Sequence, residues 1–491
     1  MYNLLNFEKT IIIINMNFTR EQEDFINNYV KALKEKNAVV FAGAGMSIPC
    51  GFLDWKRLLT PIAEKLGLDI DQEHDLTALA QLYVDEAGGV RGRLNQLLEE
   101  SYSKVKISPS INHKILARLP IEIYWTTNYD NLIENALIEA GKTPDIKSKH
   151  THLGINKPKR DAIVYKMHGD INDIAETVLT KHEYEDYDEK REFFSNAFKN
   201  DLISKTFLFI GFSFSDPNLD YLISRIRTAY KQNVRGDDYY FIEKEHESQK
   251  ITKQNLKINS LKRYGLNPIL VDSYTNDIPL ILREIELRFL RNTILISGSA
   301  EEYGSYGEKR GVDLLHLLSK TISSKSYKIL SGFGWGVGSA VINGVLDNMK
   351  DEHNQRLDDY LILRPFPQFE TAGNNLKNTW TEYRQNFIPL AGIAIFIFGN
   401  KKEKNTGNII PADGMYEEFK IAIAKGLKII PIGATGYVAK ELWKKVMDNY
   451  DDFYPNEQRV KKELLKLGDE NTPDSELINS IINIINILNP L

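Results

Sequence analysis

The sequence carries a single cysteine, Cys50, among 491 residues. That excludes an internal disulfide framework and any zinc site built from several cysteines, so no metal is expected. It also fits a reducing, cytoplasmic setting. Long lysine or arginine blocks are missing and the net charge is −5, so the electrostatic footprint of a nucleic-acid binder is absent. The apolar run Ile11–Ile14 falls far short of the roughly 20 residues that a membrane span needs. A basic start followed by a small-residue cleavage site, the mark of a signal peptide, is not found either. Residues 1–17 read as an N-terminal extension. Two nucleotide motifs are incomplete. Gly141-Lys142-Thr143 lacks the first P-loop glycine, Ala136 standing there, and Gly43-Ala44-Gly45 lacks the third glycine of the dinucleotide fingerprint, replaced by Ile48.

What is present is a chain of ordinary globular composition, 42% hydrophobic and 26% charged, long enough for more than one core. Thr19 with Gln22 forms a capping box ahead of a helix whose apolar face is Phe25, Ile26, Tyr29, Val30 and Leu33. An apolar strand then opens into Phe41-Ala42-Gly43-Ala44-Gly45-Met46-Ser47. Further strands end in Thr127-Asn128-Tyr129-Asp130, in His168-Gly169-Asp170 and in Gly211-Phe212-Ser213, and helical stretches separate most of them, Asn131–Ala140 and Asn218–Ala229 among them. Strands alternating with helices predict an α/β fold with a mostly parallel sheet. Ligands of such sheets sit outside the carboxyl ends of the strands, where these polar endings converge, so a nucleotide site is expected there. A second α/β unit begins near residue 286. Its glycine turns are Ser297-Gly298-Ser299 and Ser331-Gly332-Phe333-Gly334-Trp335-Gly336-Val337-Gly338. The closing run Leu477–Leu488 predicts an apolar helix packed on a domain or an oligomer interface.

Gly43-Ala44-Gly45-Met46-Ser47, Thr127-Asn128-Tyr129-Asp130 and His168-Gly169 stand in the order of the sirtuin signatures GAGxS, QNxD and HG. Residues 18–285 therefore resemble a sirtuin, with a Rossmann-type parallel sheet. Gly211-Phe212-Ser213 resembles that family's later Gly-x-Ser turn, and Gly51–Lys56 loosely echoes its GIPDFR loop, with Asp54 retained. Sirtuin deacylases carry a four-cysteine zinc module. Its absence here favours plain NAD+ cleavage over deacylation, with an NAD-dependent deacylase or ADP-ribosyltransferase as the runner-up. Residues 286–491 resemble a SLOG domain, a Rossmann-like nucleotide sensor related to the LOG phosphoribohydrolases. Pro411–Glu418 echoes the LOG motif PGGxGTxxE, with Asp413 and Met415 replacing a glycine and a threonine, which favours a sensor over a hydrolase. The pairing is similar to the sirtuin–SLOG effectors of the Thoeris anti-phage system. That resemblance implies a homotetramer that hydrolyses NAD+ as substrate, without a cofactor. It also implies activation by a cyclic ADP-ribose isomer, which a TIR-domain partner makes and the SLOG domain binds. A non-catalytic nucleotide-binding scaffold is the alternative from another class.

The residues carry these expectations as follows. Asn128 holds a water or the nicotinamide amide, or caps the following helix. His168 contacts the ribose hydroxyls or acts as general base. Gly43, Ala44, Gly45 and Gly211 let backbone approach the dinucleotide, and Ser47 and Ser213 bond phosphate or ribose oxygens. Asp130 lines the nicotinamide pocket or is a first-turn helix acid, and Asp54 reads as a helix cap beside the cofactor loop. In the second unit Gly298, Ser299, Gly332 and Gly334 are expected to face the signal nucleotide. Arg364, Arg384 and Lys401 are the candidate cations, of which Arg384 and Lys401 match the family pattern. Glu418 is placed to accept from ribose hydroxyls.

Overall fold

The computed structural model describes residues 18–103, 108–212, 225, 238–263, 265–350, 356–369, 375–403, 405–455 and 457–489. Ser213 and the expected helix Asn218–Ala229 lie outside the described residues, Arg225 excepted. The chain divides into two compact units, one running to Glu286 and one starting at Leu287.

In the first unit the strands are β1 (Ala38–Ala42), β2 (Ile123–Thr126), β3 (Pro144–Lys147), β4 (Ala162–Lys166), β5 (Thr206–Ile210), β6 (Asp238–Glu243) and β7 (Leu266–Val271). They form one parallel sheet in the order β3-β4-β2-β1-β5-β6-β7. The strand β1 is buried along its whole length, which explains its unbroken apolar sequence. Phe41 on β1 pairs in register with Trp125 on β2 and Phe209 on β5. Phe198, from the helix Glu192–Ser204, closes over this aromatic row, packing edge-on against Phe41 and Trp125. Because β2 and β5 flank β1 on opposite sides, strand order reverses there, and that reversal fixes the crevice a ligand would occupy. The capping box forms as expected: Gln22 N–H donates to Thr19 Oγ1, and Thr19 N–H to Gln22 Oε1. The edge strand β3 is not apparent from its sequence, because Pro144-Asp145-Ile146-Lys147 is too short and polar to show a period.

The second unit holds β8 (Thr293–Ser299), β9 (Lys328–Ser331), β10 (Leu361–Leu363), β11 (Ile393–Phe398) and β14 (Lys428–Pro431), all parallel, in the order β10-β9-β8-β11-β14. A small antiparallel pair, β12 (Asn400–Lys402) and β13 (Ile409–Pro411), stands beside them. Here the reversal falls at β8. The last helix, Asp474–Leu488, buries Leu477, Ile481, Ile484 and Ile485 in this unit's own core.

The turns after β1 and β5 touch backbone to backbone. Gly43 N–H donates to Ile210 O (2.8 Å) and Gly45 N–H to Gly211 O (2.7 Å). A Cβ on Gly43 or Gly45 would stand 2.8 Å from the Gly211 carbonyl oxygen, and Gly211 itself has φ +82°. Close approach therefore dictates all three glycines. Gly45→Ala is predicted to cost about 1–3 kcal/mol through overpacking. Gly154→Ala, at a position with nothing within 4 Å, should change stability little. Denaturant unfolding of the two variants checks the contrast.

Candidate functional site

The site is built on the polar ends of β1, β2 and β4. Thr126, the last residue of β2, donates its hydroxyl to Ala42 O (2.9 Å) and accepts from Asn128 N–H (3.0 Å), which curls the turn back over β1. Asn128 is thereby brought against the glycine turn. Its Nδ2 donates to Gly43 O (2.9 Å) and to Ser47 Oγ (2.9 Å). Ser47 in turn donates to Asp130 Oδ2 (2.7 Å), and Asp130 Oδ1 accepts from Leu132 N–H (3.0 Å). A carbonyl oxygen only accepts, so the contact to Gly43 O fixes which end of the amide is nitrogen. Both amide hydrogens are engaged, and Oδ1 is the end left for a ligand.

A cleft opens above this chain, lined by Ala44, Ser47, Phe52, Trp55, Tyr102 and the turn Thr127–Asp130. Its interior is about 30 Å³ among the described residues, room for about two waters. Asn128, Ala44, Ser47 and Asp130 are brought together here. The glycine turn does less as an anion cradle than its sequence suggests, since the N–H groups of Gly43, Gly45, Met46 and Ser47 all donate within the fold. Asp54 takes the capping role: its Oδ1 accepts from Arg57 N–H (2.8 Å), and it stands outside the cleft lining. Asn131, not Asn128, is the cap residue of the helix Leu132–Glu139.

His168 sits behind the cleft wall and is 1% exposed. The wall is Tyr129, whose hydroxyl donates to Val178 O (2.7 Å), while Val178 N–H donates to His168 O (2.9 Å). Tyr184 packs edge-on against both His168 and the cleft residue Trp55, and its hydroxyl lies 3.3 Å from His168 Nδ1. The other ring nitrogen, Nε2, is buried with no hydrogen-bond partner. Burial, with the Arg191 charge nearby, lowers the imidazole pKa to about 3. The ring is therefore neutral at physiological pH and holds one unused polar atom. An orphaned polar atom in so buried a position carries a free-energy penalty that a ligand hydroxyl would relieve.

In the second unit a cavity of about 970 Å³ lies beside the turns after β8 and β9. Gly334, Phe333, Trp335 and Phe366 line it, together with Glu301, Glu302 and Glu308. Trp335 is 74% exposed, an aromatic face set in open water. Of the expected signal contacts only Gly334 is in this lining. Gly298, Gly332 and Gly334 serve close packing, since a Cβ on each would meet Ile397 O, the Phe366 ring or Gly298 O within 2.8 Å. Ser299 donates to Asn400 O (2.9 Å). Arg384 is buried and held by Glu417 (2.7 Å) and Glu418 (3.3 Å), with its guanidinium 4.8 Å from the Phe366 ring centre. Glu418 also accepts from Ser297 Oγ (2.7 Å), and burial raises its pKa. Lys401 pairs with Asp413. Arg364, exposed, donates to Leu363 O (3.0 Å). Of the expected cations, Arg384 and Lys401 are thus already paired with carboxylates inside the unit, Arg384 because a buried guanidinium requires one whether or not a ligand is near.

Sequence reasoning missed the aromatic lining of both sites and the buried Lys166 at the end of β4. Lys166 left one trace, a charged residue closing an otherwise apolar strand. Among the described residues no helix is long and apolar enough to cross a membrane.

Residues 122–269 match the model of a SIR2-like domain, and residues 277–488 that of the Sir2- and TIR-associating SLOG family. A protein of Cytobacillus dafuensis named NAD(+) hydrolase ThsA is 46% identical over 97% of this chain and 99% of its own length. One of the same name from Bacillus cereus (strain MSX-D12) is 44% identical over 95% of this chain and 98% of its own. A Bacillus subtilis protein named Defense-associated sirtuin 2 shares 28% identity over 42% of this chain and 22% of its own length. Identity of this degree, running through both units from end to end, places the chain in the ThsA family of NAD(+) hydrolases.

Proposed function

We propose that the chain cleaves the bond between nicotinamide and ribose of NAD+ at the Asn128 cleft, under the control of a cyclic ADP-ribose-type nucleotide bound to the second unit. The observation that carries the reading is the Asn128 amide in the cleft lining, its two hydrogens engaged and Oδ1 the end left for a ligand, with the buried and unpartnered His168 Nε2 behind the Tyr129 wall. Cleavage develops positive charge on the ribose as neutral nicotinamide departs. An amide oxygen stabilises that charge and orients the attacking water, while a neutral imidazole holds a ribose hydroxyl. Water adds to the anomeric carbon, its proton is released, and ADP-ribose results.

The small cleft supports control. A dinucleotide needs a pocket of several hundred Å³, far above the space between Ala44 and Tyr102. On this reading NAD+ entry displaces part of the cleft lining around Trp55, and a ligand that favours the wider arrangement raises the rate. The second unit's cavity, with Phe333 and Trp335 at its rim, offers π-faces for the bases of such a nucleotide. Supply of that signal by a TIR-domain partner, assembly as a homotetramer and NAD+ depletion in the cytoplasm during anti-phage defence belong to the same proposal.

Nicotinamide release from NAD+, measured with and without cyclic ADP-ribose isomers, tests it. Release in neither condition would sink the reading. Asn128→Ala and His168→Ala are each expected to lower release about 100-fold or more, with nucleotide binding to the second unit intact. Trp335→Ala should weaken that binding about tenfold by calorimetry, in line with the loss of one base stack.

A further inference from the structure

Lys166 is a lysine with no exposed surface. Its ammonium donates to Asp130 O (2.6 Å), Tyr129 O (3.0 Å) and Asn131 Oδ1 (3.0 Å). It also pairs with Asp170 Oδ2 at 2.8 Å and Glu134 Oε1 at 3.1 Å. Three of these partners belong to the turn that follows Asn128, and Asp170 closes the turn that begins with His168. The same two turns meet once more through Ile171 N–H donating to Tyr129 O (2.9 Å). An ammonium has three hydrogens, which these three hydrogen bonds engage, and the two carboxylates close around it as ion pairs, so the shell is shared rather than one salt bridge. Removing three ions from water on this scale is rarely a gain in stability over apolar packing. The arrangement therefore invites a reason other than stability.

Resting on the Asn128–His168 reading above, we propose that Lys166 is a positioning residue for NAD+ cleavage. Its ammonium clamps the Asn128–Asn131 turn to the His168–Asp170 turn and so fixes the direction in which the Asn128 amide faces. The link runs through Asp130. As a carboxylate, Asp130 can only accept from Ser47, so Ser47 must accept from Asn128, and the amide oxygen is left to the cleft. A protonated Asp130 would donate instead, freeing the Ser47 hydroxyl proton and leaving the Gly43 carbonyl as the one contact that still requires the amide nitrogen on that side.

Burial pushes the Asp130 carboxyl upward, and the Ser47 hydroxyl, the Leu132 N–H and the Lys166 charge oppose it. The other ionisable groups facing Asp130 are Glu134 on the helix that follows, Tyr102 on the helix Gly92–Ser103 and Cys50 before the Asp54-capped helix. None of these supplies positive charge. Loss of Lys166 thus moves the Asp130 pKa further up, and the pH below which the carboxylate is lost rises with it. His168 does not confuse this limb, because its imidazole takes a proton only near pH 3.

The test uses the full chain, in whichever arm (NAD+ alone or with a cyclic ADP-ribose isomer) the wild type releases nicotinamide. Lys166→Met removes the charge, and Lys166→Met with Glu134→Gln also removes one of the two acids it would strand, leaving Asp170. The double variant is expected to fold, to lose about tenfold or more in kcat with a smaller change in KM, and to show its acid limb about one pH unit higher. A purely structural lysine would alter melting temperature but leave the limb where it is. Wild-type kcat with an unmoved limb in the double variant overturns the proposal. If neither lysine variant folds, Asp130→Asn decides: the proposal expects a rate loss with the acid limb abolished, and a wild-type rate and profile contradict it. Full activity of Asn128→Ala would instead show that the site itself has been misassigned, a separate result.

Discussion

The Asn128 amide has both hydrogens committed, one to the Gly43 carbonyl and one to Ser47. Much of the first unit can be read as the means of holding that amide. The Gly43 carbonyl is in place because β1 ends against β5, and the turns after them approach so closely that only glycines fit. Ser47 is in place because the same turn folds into a short 3-10 helix at Ala44–Met46. Asp130 accepts the serine hydroxyl, which leaves the serine oxygen to accept from Asn128. Behind it the buried Lys166 joins this turn to the one that carries His168. Hydrogen bonds in so dry an environment are directional and mutually reinforcing, which is what a site that must orient one amide oxygen requires.

The second unit repeats the same architecture with a different outcome. Its strand order also reverses at a central strand, and glycine turns again crowd the crevice. There the neighbouring polar groups are satisfied within the fold: Arg384 by two glutamates, Lys401 by Asp413, Ser299 by the Asn400 carbonyl. What stays open is a broad cavity with aromatic walls and an acidic rim. A narrow polar cleft in one unit and a roomy aromatic cavity in the other suit different tasks, chemistry at one and recognition at the other.

Much of this was legible in the residues. Parallel strands show as apolar runs with polar endings, and those endings placed Asn128 and His168 at one edge of the sheet. The capping box at Thr19 and Gln22 and the cap at Asp54 follow from local spacing alone. The purpose of the glycines was harder to read, because a GxG turn looks the same whether it admits a phosphate or another backbone. Lys166 was invisible as a hub, since the acids that pair with it, Glu134 and Asp170, come from separate places in the chain. Arg384 and Glu418 stood out as separate ligand contacts because sequence does not show that they face each other. Pairings between distant positions are settled by packing, and a single sequence carries no record of them.

The claim that ties the account together is that Asn128 Oδ1 and His168 Nε2 are the atoms that meet the ribose of NAD+. It is tested most directly by a structure of the His168→Gln variant in complex with intact NAD+. The account predicts the nicotinamide ribose within hydrogen-bonding distance of Asn128 Oδ1, with the glutamine amide standing against a ribose hydroxyl and the Trp55 side displaced. A dinucleotide bound with its nicotinamide ribose away from Asn128 would contradict it.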